Sequence, residues 1–302
     1  MTSQKSVASV DWLTTNIYFE STERWYQELV GSHLAHIAQD AKDKKEEIPT
    51  KVGDTDILVR GKSDEYIRAD LCGARCRFHL PPYDPKDSWP AVKIEWSGEP
   101  FYTQTASQVV TPLLTFLLEH GAAISRATVS RLDVAVDLGG TDVEVFRQAE
   151  EEKRFITRAK QTAIYKNLGD VKTLYLGKDP IMLRIYDKWA QLRHENNPPK
   201  MASYEHRMCG AFPASRIEFQ VRGEKLKEFD FGAHTLDGAL CGWGLVGKHC
   251  ATEFCRMVTH RTTKTADLPF SEEWRRVLDA LDGKGDFAAG DAYEPQEPDL
   301  GN

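Results

Sequence analysis

The chain has 302 residues, of which 41% are hydrophobic and 28% charged, with a formal net charge of −7. That apolar share is ordinary for a soluble globular protein, and the length allows one large domain or two small ones. No run of about eighteen apolar residues occurs and the first residues lack a signal peptide's apolar core, so neither a membrane helix nor secretion is expected, and a cytoplasmic protein is predicted. An acidic chain would argue against a nucleic-acid partner, but the distribution of the charge does not. From residue 267 onward ten Asp/Glu stand against three Lys/Arg, which accounts for the whole net charge. Between residues 151 and 200 eleven Lys/Arg stand against six Asp/Glu, a local basic segment compatible with DNA binding. The six cysteines, at 72, 76, 209, 241, 250 and 255, lack the spacing of a zinc knuckle and read as reduced, mostly buried thiols.

In chain order, residues 8–18 predict an opening strand. A helix follows with Ser21 or Thr22 as its cap, and Trp25, Leu29, His33 and Ile37 recur every four residues as its buried stripe. Residues 42–47 form a solvated charge run. Short strands are expected at 56–60 and 66–71, then a loop rich in proline and aspartate at 81–90 and a strand at 91–96. Thr111-Pro112 reads as a helix opening, because proline tolerates the first helical position, and Gly121 as its stop. A strand at 128–138 and a helix from 141 to about 154 come next. Strands at 172–176, 182–188 and 216–222 and a helix at 189–194 complete the central part, with 196–213 expected to be irregular. Beyond Gly223 the pattern is helical, clearest at 271–281, and residues 288–302 read as disordered.

Side chains alternate across a strand, so residues i, i+2 and i+4 share a face. In residues 131–137, Arg131, Asp133, Ala135 and Asp137 oppose Leu132, Val134 and Val136. In 182–188, Arg184, Tyr186 and Lys188 oppose Leu183 and Ile185. In 216–222, Arg216, Glu218, Gln220 and Arg222 oppose Ile217, Phe219 and Val221, and Lys93, Glu95 and Ser97 share one face of a fourth strand. One design recurs: an apolar face to pack under helices and a polar face of carboxylates, cations and one tyrosine. Glu95, Asp133 or Asp137, and Glu218 are hard oxygen donors suited to Mg2+ or Mn2+, and Arg131, Arg184, Arg216 and Lys188 are cations suited to phosphate. Asp133 and Asp137 lie roughly 13 Å apart along one strand, so donors to a single ion must come from neighbouring strands.

In order and spacing, the segments Arg131-Leu-Asp-Val-Ala-Val-Asp137, Thr173-Leu-Tyr-Leu-Gly177, Leu183-Arg-Ile-Tyr-Asp-Lys188 and Arg216-Ile-Glu-Phe219 resemble the replication initiation factor family, and Val10-Asp-Trp-Leu13 is similar to its start. That family includes rolling-circle initiators of plasmids, filamentous-phage initiators and related conjugative relaxases. The resemblance covers residues 8–230. Beside the helical extension at 231–285 and the acidic tail at 286–302, which pattern and composition predict, it implies an α+β fold: a central antiparallel-rich sheet with helices packed on one face and a polar catalytic face. It also implies a DNA nicking and joining enzyme in which the tyrosine of the R-I-Y-x-K motif, here Tyr186, attacks a DNA phosphate. Arg184 and Lys188 would be its catalytic partners, and Glu95, Asp133, Glu218 and Asp137 the candidate ligands of Mg2+ or Mn2+. Arg131, Arg216, Arg222 and Lys172 are the candidate DNA-binding cations. A free tyrosine, with a pKa near 10, is a poor nucleophile at neutral pH, which is why a phosphate-polarising metal and a cation beside the phenolate are expected.

The expected product is a 5′-phosphotyrosine and a free 3′-hydroxyl, with Tyr175 and Tyr165 as rival nucleophiles. The partner would be origin DNA with an exposed single-stranded segment, in a bacterial cytoplasm, with a host helicase, a polymerase and a second copy of the chain as further candidates and no membrane. Two departures stand out: Ala214-Ser215 replaces the tryptophan that often precedes R-x-E, and position 187 is Asp where some relatives have Asn. A conjugative relaxase of the same chemistry and a catalytically silent DNA-binding regulator are the alternatives.

Overall fold

A computed structural model describes residues 5–21, 23–80, 89–166, 172–260, 262 and 268–285. The strands are β1 (Ser6–Phe19), β2 (Ile48–Val52), β3 (Thr55–Lys62), β4 (Tyr66–Leu71), β5 (Ala74–His79), β6 (Val92–Ser97), β7 (Ile124–Gly139), β8 (Phe155–Thr157), β9 (Thr162–Lys166), β10 (Lys172–Gly177), β11 (Ile181–Asp187), β12 (Ala214–Arg222) and β13 (Cys255–Met257). The α-helices are α1 (Glu23–Trp25), α2 (Ala35–Lys44), α3 (Ala106–Glu119), α4 (Val143–Glu151), α5 (Lys188–Glu195), α6 (Pro198–Met208), α7 (Gly223–Leu226), α8 (Leu236–His249) and α9 (Glu272–Leu281). Eleven strands form one antiparallel sheet in the order β2-β3-β4-β5-β6-β1-β7-β12-β11-β10-β9, so the α+β architecture expected from the sequence is the one observed. The two longest strands, β1 and β7, pair at its centre.

Where the local structure departs from expectation, the cause is identifiable. The N-terminal helical segment is π-helical over Tyr26–Leu34, between α1 and α2. A π-turn closes from i to i+5, wider than an α-turn, so the buried stripe does not keep a spacing of four. It runs through Trp25, Leu29, Val30, Leu34, Ala38 and Ala41, leaving His33 exposed and Ile37 half-buried. Helix α3 begins six residues before Pro112 because Thr105 and Gln108 form a reciprocal capping box, which places Pro112 inside the helix. Residues 196–213 are not irregular. Asn197 caps α6 by accepting from the Lys200 amide, and Pro198-Pro199 occupy its first turn, where no amide donor is needed. Strand β2 carries Pro49 at the sheet edge, where proline is tolerated, and β5 alternates arginines with apolar residues; both escape a reading that looks for apolar runs. The loop expected at 81–90 falls mostly, and the tail at 288–302 wholly, outside the described residues.

The apolar face of the sheet packs under α2, α3, α8 and α9 in one continuous core that runs from Ala8 to Leu281. On the opposite face, α5 and α6 roof one end with a smaller cluster of Leu192, Tyr204, Met208, Tyr102 and Ala214. Among the described residues no helix is long and apolar enough to cross a membrane. Cys76, Cys250 and Cys255 are buried and Cys209 exposed. Burial pushes the thiols of Cys250 and Cys255 up to about 12. Iodoacetamide should therefore label Cys209 first in the native protein and reach Cys76, Cys250 and Cys255 only on unfolding, which time-resolved mass spectrometry would read directly.

Candidate active site

The polar face is assembled by register. Tyr186 on β11 stands opposite Arg216 on β12, and Arg216 stands opposite Asp137 on β7. One step along, Arg184 faces Glu218, which faces Ala135. On β1 a bulge between Val10 and Trp12 interrupts pairing with β7. A bulge lets two consecutive residues share one side. Ala8 and Val10 face the core before it and Leu13 and Ile17 after it, so Asp11 and Trp12 both project onto the polar face. Asp11 fits there because residue 98 is glycine: a Cβ at that position would lie 2.3 Å from the Asp11 carboxylate.

Beneath the roof of α5 and α6 lies a buried ionic network. Arg216, fully buried, donates from Nε and Nη2 to the two Asp137 oxygens at 2.7 Å each. Its Nη1 reaches Asp11 and the Tyr102 hydroxyl, the latter at 3.2 Å. Tyr204 donates its hydroxyl to Asp137 at 3.0 Å, and Arg207 adds a bond to Asp137 at 3.3 Å and one to Ser9 Oγ at 3.0 Å. Burial alone would raise the Asp137 pKa, but Arg216, Arg207 and Lys188 hold it below the usual carboxylate range.

A cavity of about 300 Å³ opens beside this network, and Tyr186 forms part of its wall. The Tyr186 hydroxyl donates to Glu218 Oε2 at 2.9 Å. Burial and the Glu218 charge push the phenol well above its ordinary pKa. Burial, with Asp11 and Asp133 nearby, pushes Glu218 itself up to about 7 despite its contact with Arg184. Arg184 also bonds Asp133 at 3.1 Å, and its Nε is buried without a hydrogen-bond partner. Lys188 is not the last residue of the strand but the first of α5, with Asp187 as the cap that accepts from the Ala190 amide; the Asp at 187 is thus accounted for by helix capping. Its ammonium lies 5.6 Å from the Tyr186 ring centre, and burial together with Arg216 lowers its pKa to about 8.

Among solved structures, one similar in fold is a rolling-circle replication initiator protein from Geobacillus stearothermophilus, at 16% identity and a TM-score of 0.53 over 93% of this chain and 98% of that one. The likeness is one of fold. No family model and no curated protein matches the sequence.

The polar-face residues predicted from sequence separate into four groups. Tyr186, Arg184, Lys188, Asp133, Glu218 and Arg131 all line the one cavity. Asp137 and Arg216 lie beside it, wholly buried and bonded to each other, with Tyr204 and Arg207 also on the carboxylate and Asp11 and Tyr102 also on the guanidinium. Glu95 lies on the same face but across Trp12, within 4.0 Å of Arg77 and Lys93, and lines a different cavity. Arg222 is exposed and bonded to Asp179 at 3.2 Å, beside a third concavity. Of the rival tyrosines, Tyr175 faces Arg184 in register but lines another hollow, and Tyr165, like Lys172, is described in backbone only. Sequence reasoning missed Asp11, Tyr102, Tyr204 and Arg207.

The site fits a hard divalent cation in donor type. Five carboxylates line the cavity (Asp11, Glu99, Asp133, Glu195, Glu218) against four cations (Arg131, Arg184, Lys188, Lys200), so a divalent cation would add to the positive charge that faces a phosphate there. The donors are not already gathered: among the described residues no group of three or more His, Cys, Asp or Glu side chains forms a metal site, and arginines hold Asp133, Glu218 and Asp11.

Proposed function

We propose that this chain is a replication initiator of the rolling-circle type, which cuts one DNA strand at an origin by attack of Tyr186 on a phosphodiester. The observation that carries this reading is the 2.9 Å hydrogen bond from the Tyr186 hydroxyl to Glu218, inside a cavity that also presents Arg184 and Lys188. Glu218 orients Oη and receives its proton, which offsets the cost of ionising a buried phenol. Oη then bonds to phosphorus as the P–O3′ bond breaks, leaving a 5′-phosphotyrosine and, after protonation, a free 3′-hydroxyl. Arg184 and Lys188 face the charge that develops on the phosphate oxygens, and the unpaired Arg184 Nε is a donor in reserve for one of them. The ester conserves the energy of the broken bond, so attack by a 3′-hydroxyl rejoins the strand. Asp11, Asp133 and Glu218 are the residues that would hold Mg2+ or Mn2+, which when bound supplies Lewis-acid polarisation of the scissile phosphate. Origin DNA with an exposed single-stranded segment is the proposed substrate.

The test is conversion of a supercoiled plasmid bearing the cognate origin to open circle, with the protein–DNA adduct mapped by mass spectrometry. Nicking with the adduct on Tyr186 supports the reading; binding without any cut would make the chain a regulator. Metal is tested apart from activity. Adding Mn2+ to EDTA-treated protein should raise the thermal midpoint in a concentration-dependent way, and Asp133→Asn should abolish that rise.

A further inference from the structure

We propose that the part of the polar face farthest from Tyr186 is a second contact for single-stranded DNA, with phosphates held by Arg68, Arg77 and Lys93 and bases stacked on the rings beside them, Trp89 foremost. The inference rests on the reading of the substrate as DNA with an exposed single strand, and it extends the path of that strand well beyond the nicking cavity.

Register builds the patch. Arg68 on β4 stands directly opposite Arg77 on β5, and Arg77 directly opposite Lys93 on β6. Lys93 in turn faces Asn16 on β1. Trp12, Thr14 and Asn16 alternate along β1, and Trp12 lines the Tyr186 cavity, so the row of cations shares that cavity's face of the sheet. Tyr186 belongs to another row, through Arg216 and Asp137 to Val7, and the run of β1 from Val7 to Asn16 spans roughly 30 Å.

Like charges set directly opposite one another oppose folding. The neighbouring row on the same three strands, Asp70, Arg75 and Glu95, alternates in sign, but this one does not. Glu95 stands 4.0 Å from Arg77 and 3.7 Å from Lys93, beyond hydrogen-bond distance of either, and among the described residues Arg68 has no ion pair. All three are within reach of solvent: Arg68 is exposed, and the Arg77 and Lys93 side chains keep 39% and 34% of their surface. A phosphodiester chain laid across the strands would supply the negative charge that the row lacks.

Rings lie two residues further along the same strands. Tyr66 faces His79, with ring centres 6.1 Å apart and the Arg77 guanidinium 5.7 Å from the Tyr66 ring. Trp89 stands edge-on to His79 at 6.0 Å and is 52% exposed. On β1, Tyr18 carries the Arg126 guanidinium 4.0 Å from its ring centre. Cations that track a backbone, with aromatic faces beside them for successive bases, are what a single strand requires; a duplex keeps its base faces stacked inside and would use the cations alone.

Anisotropy of a labelled single strand of mixed sequence, about 30 nucleotides long, and of the matching duplex, each with the full chain, tests this apart from cleavage. The single strand should bind more tightly than the duplex. The combined variant Arg68→Gln, Arg77→Gln and Lys93→Gln should bind the single strand about tenfold or more weakly, and the slope of log affinity against log salt should become shallower by about 2. Its thermal midpoint should not fall, since like charges are being removed. The matched control is Lys42→Gln, Lys44→Gln and Lys45→Gln, exposed on and just beyond α2, which packs on the apolar face; it should change affinity by no more than about twofold. Trp89→Ala should cost about tenfold on the single strand, with most of it restored in Trp89→Phe. A patch variant no weaker than the control, an unchanged affinity in Trp89→Ala, or a duplex bound as tightly as the single strand overturns the proposal even where the plasmid is nicked at Tyr186. Conversely, binding that responds to both sets of substitutions in a protein that never nicks would leave the patch standing and remove the nickase reading.

Discussion

Tyr186→Phe should lose strand cleavage and the covalent adduct together, by about four orders of magnitude or more, as expected when a nucleophile is removed from a site whose members act as a unit. The phenylalanine keeps the ring between Arg216 in register on one side and the Lys188 ammonium 5.6 Å away, so origin binding should be little changed. What is lost is one oxygen and its bond to Glu218. That bond is one of a buried pair, so stability should fall by about 1–2 kcal/mol at most. Glu218→Gln supplies the matching half of the experiment. It retains a partner for the phenol but cannot take its proton, and the cleavage rate should drop by about 10²–10⁴ while the adduct, where it forms, still maps to Tyr186. An adduct that survives Tyr186→Phe would sink the assignment. Tyr175, which faces Arg184 from β10, would then be the first alternative to label.

The polar face was legible in the sequence wherever parity is strict. In β7, β11 and β12 every second residue between 131 and 137, 182 and 186, and 216 and 222 does lie on one face, and the polar face collects Tyr186, Arg184, Glu218 and Asp133. Parity identifies a face, not a depth or a neighbour. It could not foresee that α6 would close over Asp137 and Arg216, because the stretch 196–213 was expected to be irregular and its two prolines are in fact the first turn of that helix. The same misreading concealed Tyr204 and Arg207. Glu95 has the right parity but the wrong neighbours, since only the strand order shows Trp12 standing between β6 and the Tyr186 cavity. Asp11 was hidden by a bulge, and there a signal did exist. In Val10-Asp-Trp-Leu13 the apolar period slips by one, which is what two successive residues turned to the same face produce.

Arg216 should prove the most costly cation in the molecule to remove. Arg216→Met leaves Asp137 wholly buried with only Tyr204 and the longer Arg207 contact, and leaves Asp11 without its guanidinium. Stranding a buried charge in this way costs about 3–5 kcal/mol, which chemical denaturation would read as a large fall in midpoint at constant slope. Lysine should not rescue it. A single ammonium cannot make two bonds to Asp137 and reach both Asp11 and the Tyr102 hydroxyl, which the planar guanidinium does at once. Adding Asp137→Asn to Arg216→Met should recover part of the loss, because the charge left behind is then gone. The pH dependence fixes the sign independently. The Asp137 carboxyl is held below its ordinary range, so its contribution is present above the pKa of an unfolded aspartate and fades as pH falls through the folded value. Wild-type protein should therefore lose stability on acidification more steeply than the Arg216→Met variant. A variant within about 1 kcal/mol of wild type at neutral pH, with the same acid slope, would mean that the Asp137–Arg216 pair does not hold β7 to β12 and that Asp11 is positioned by something else.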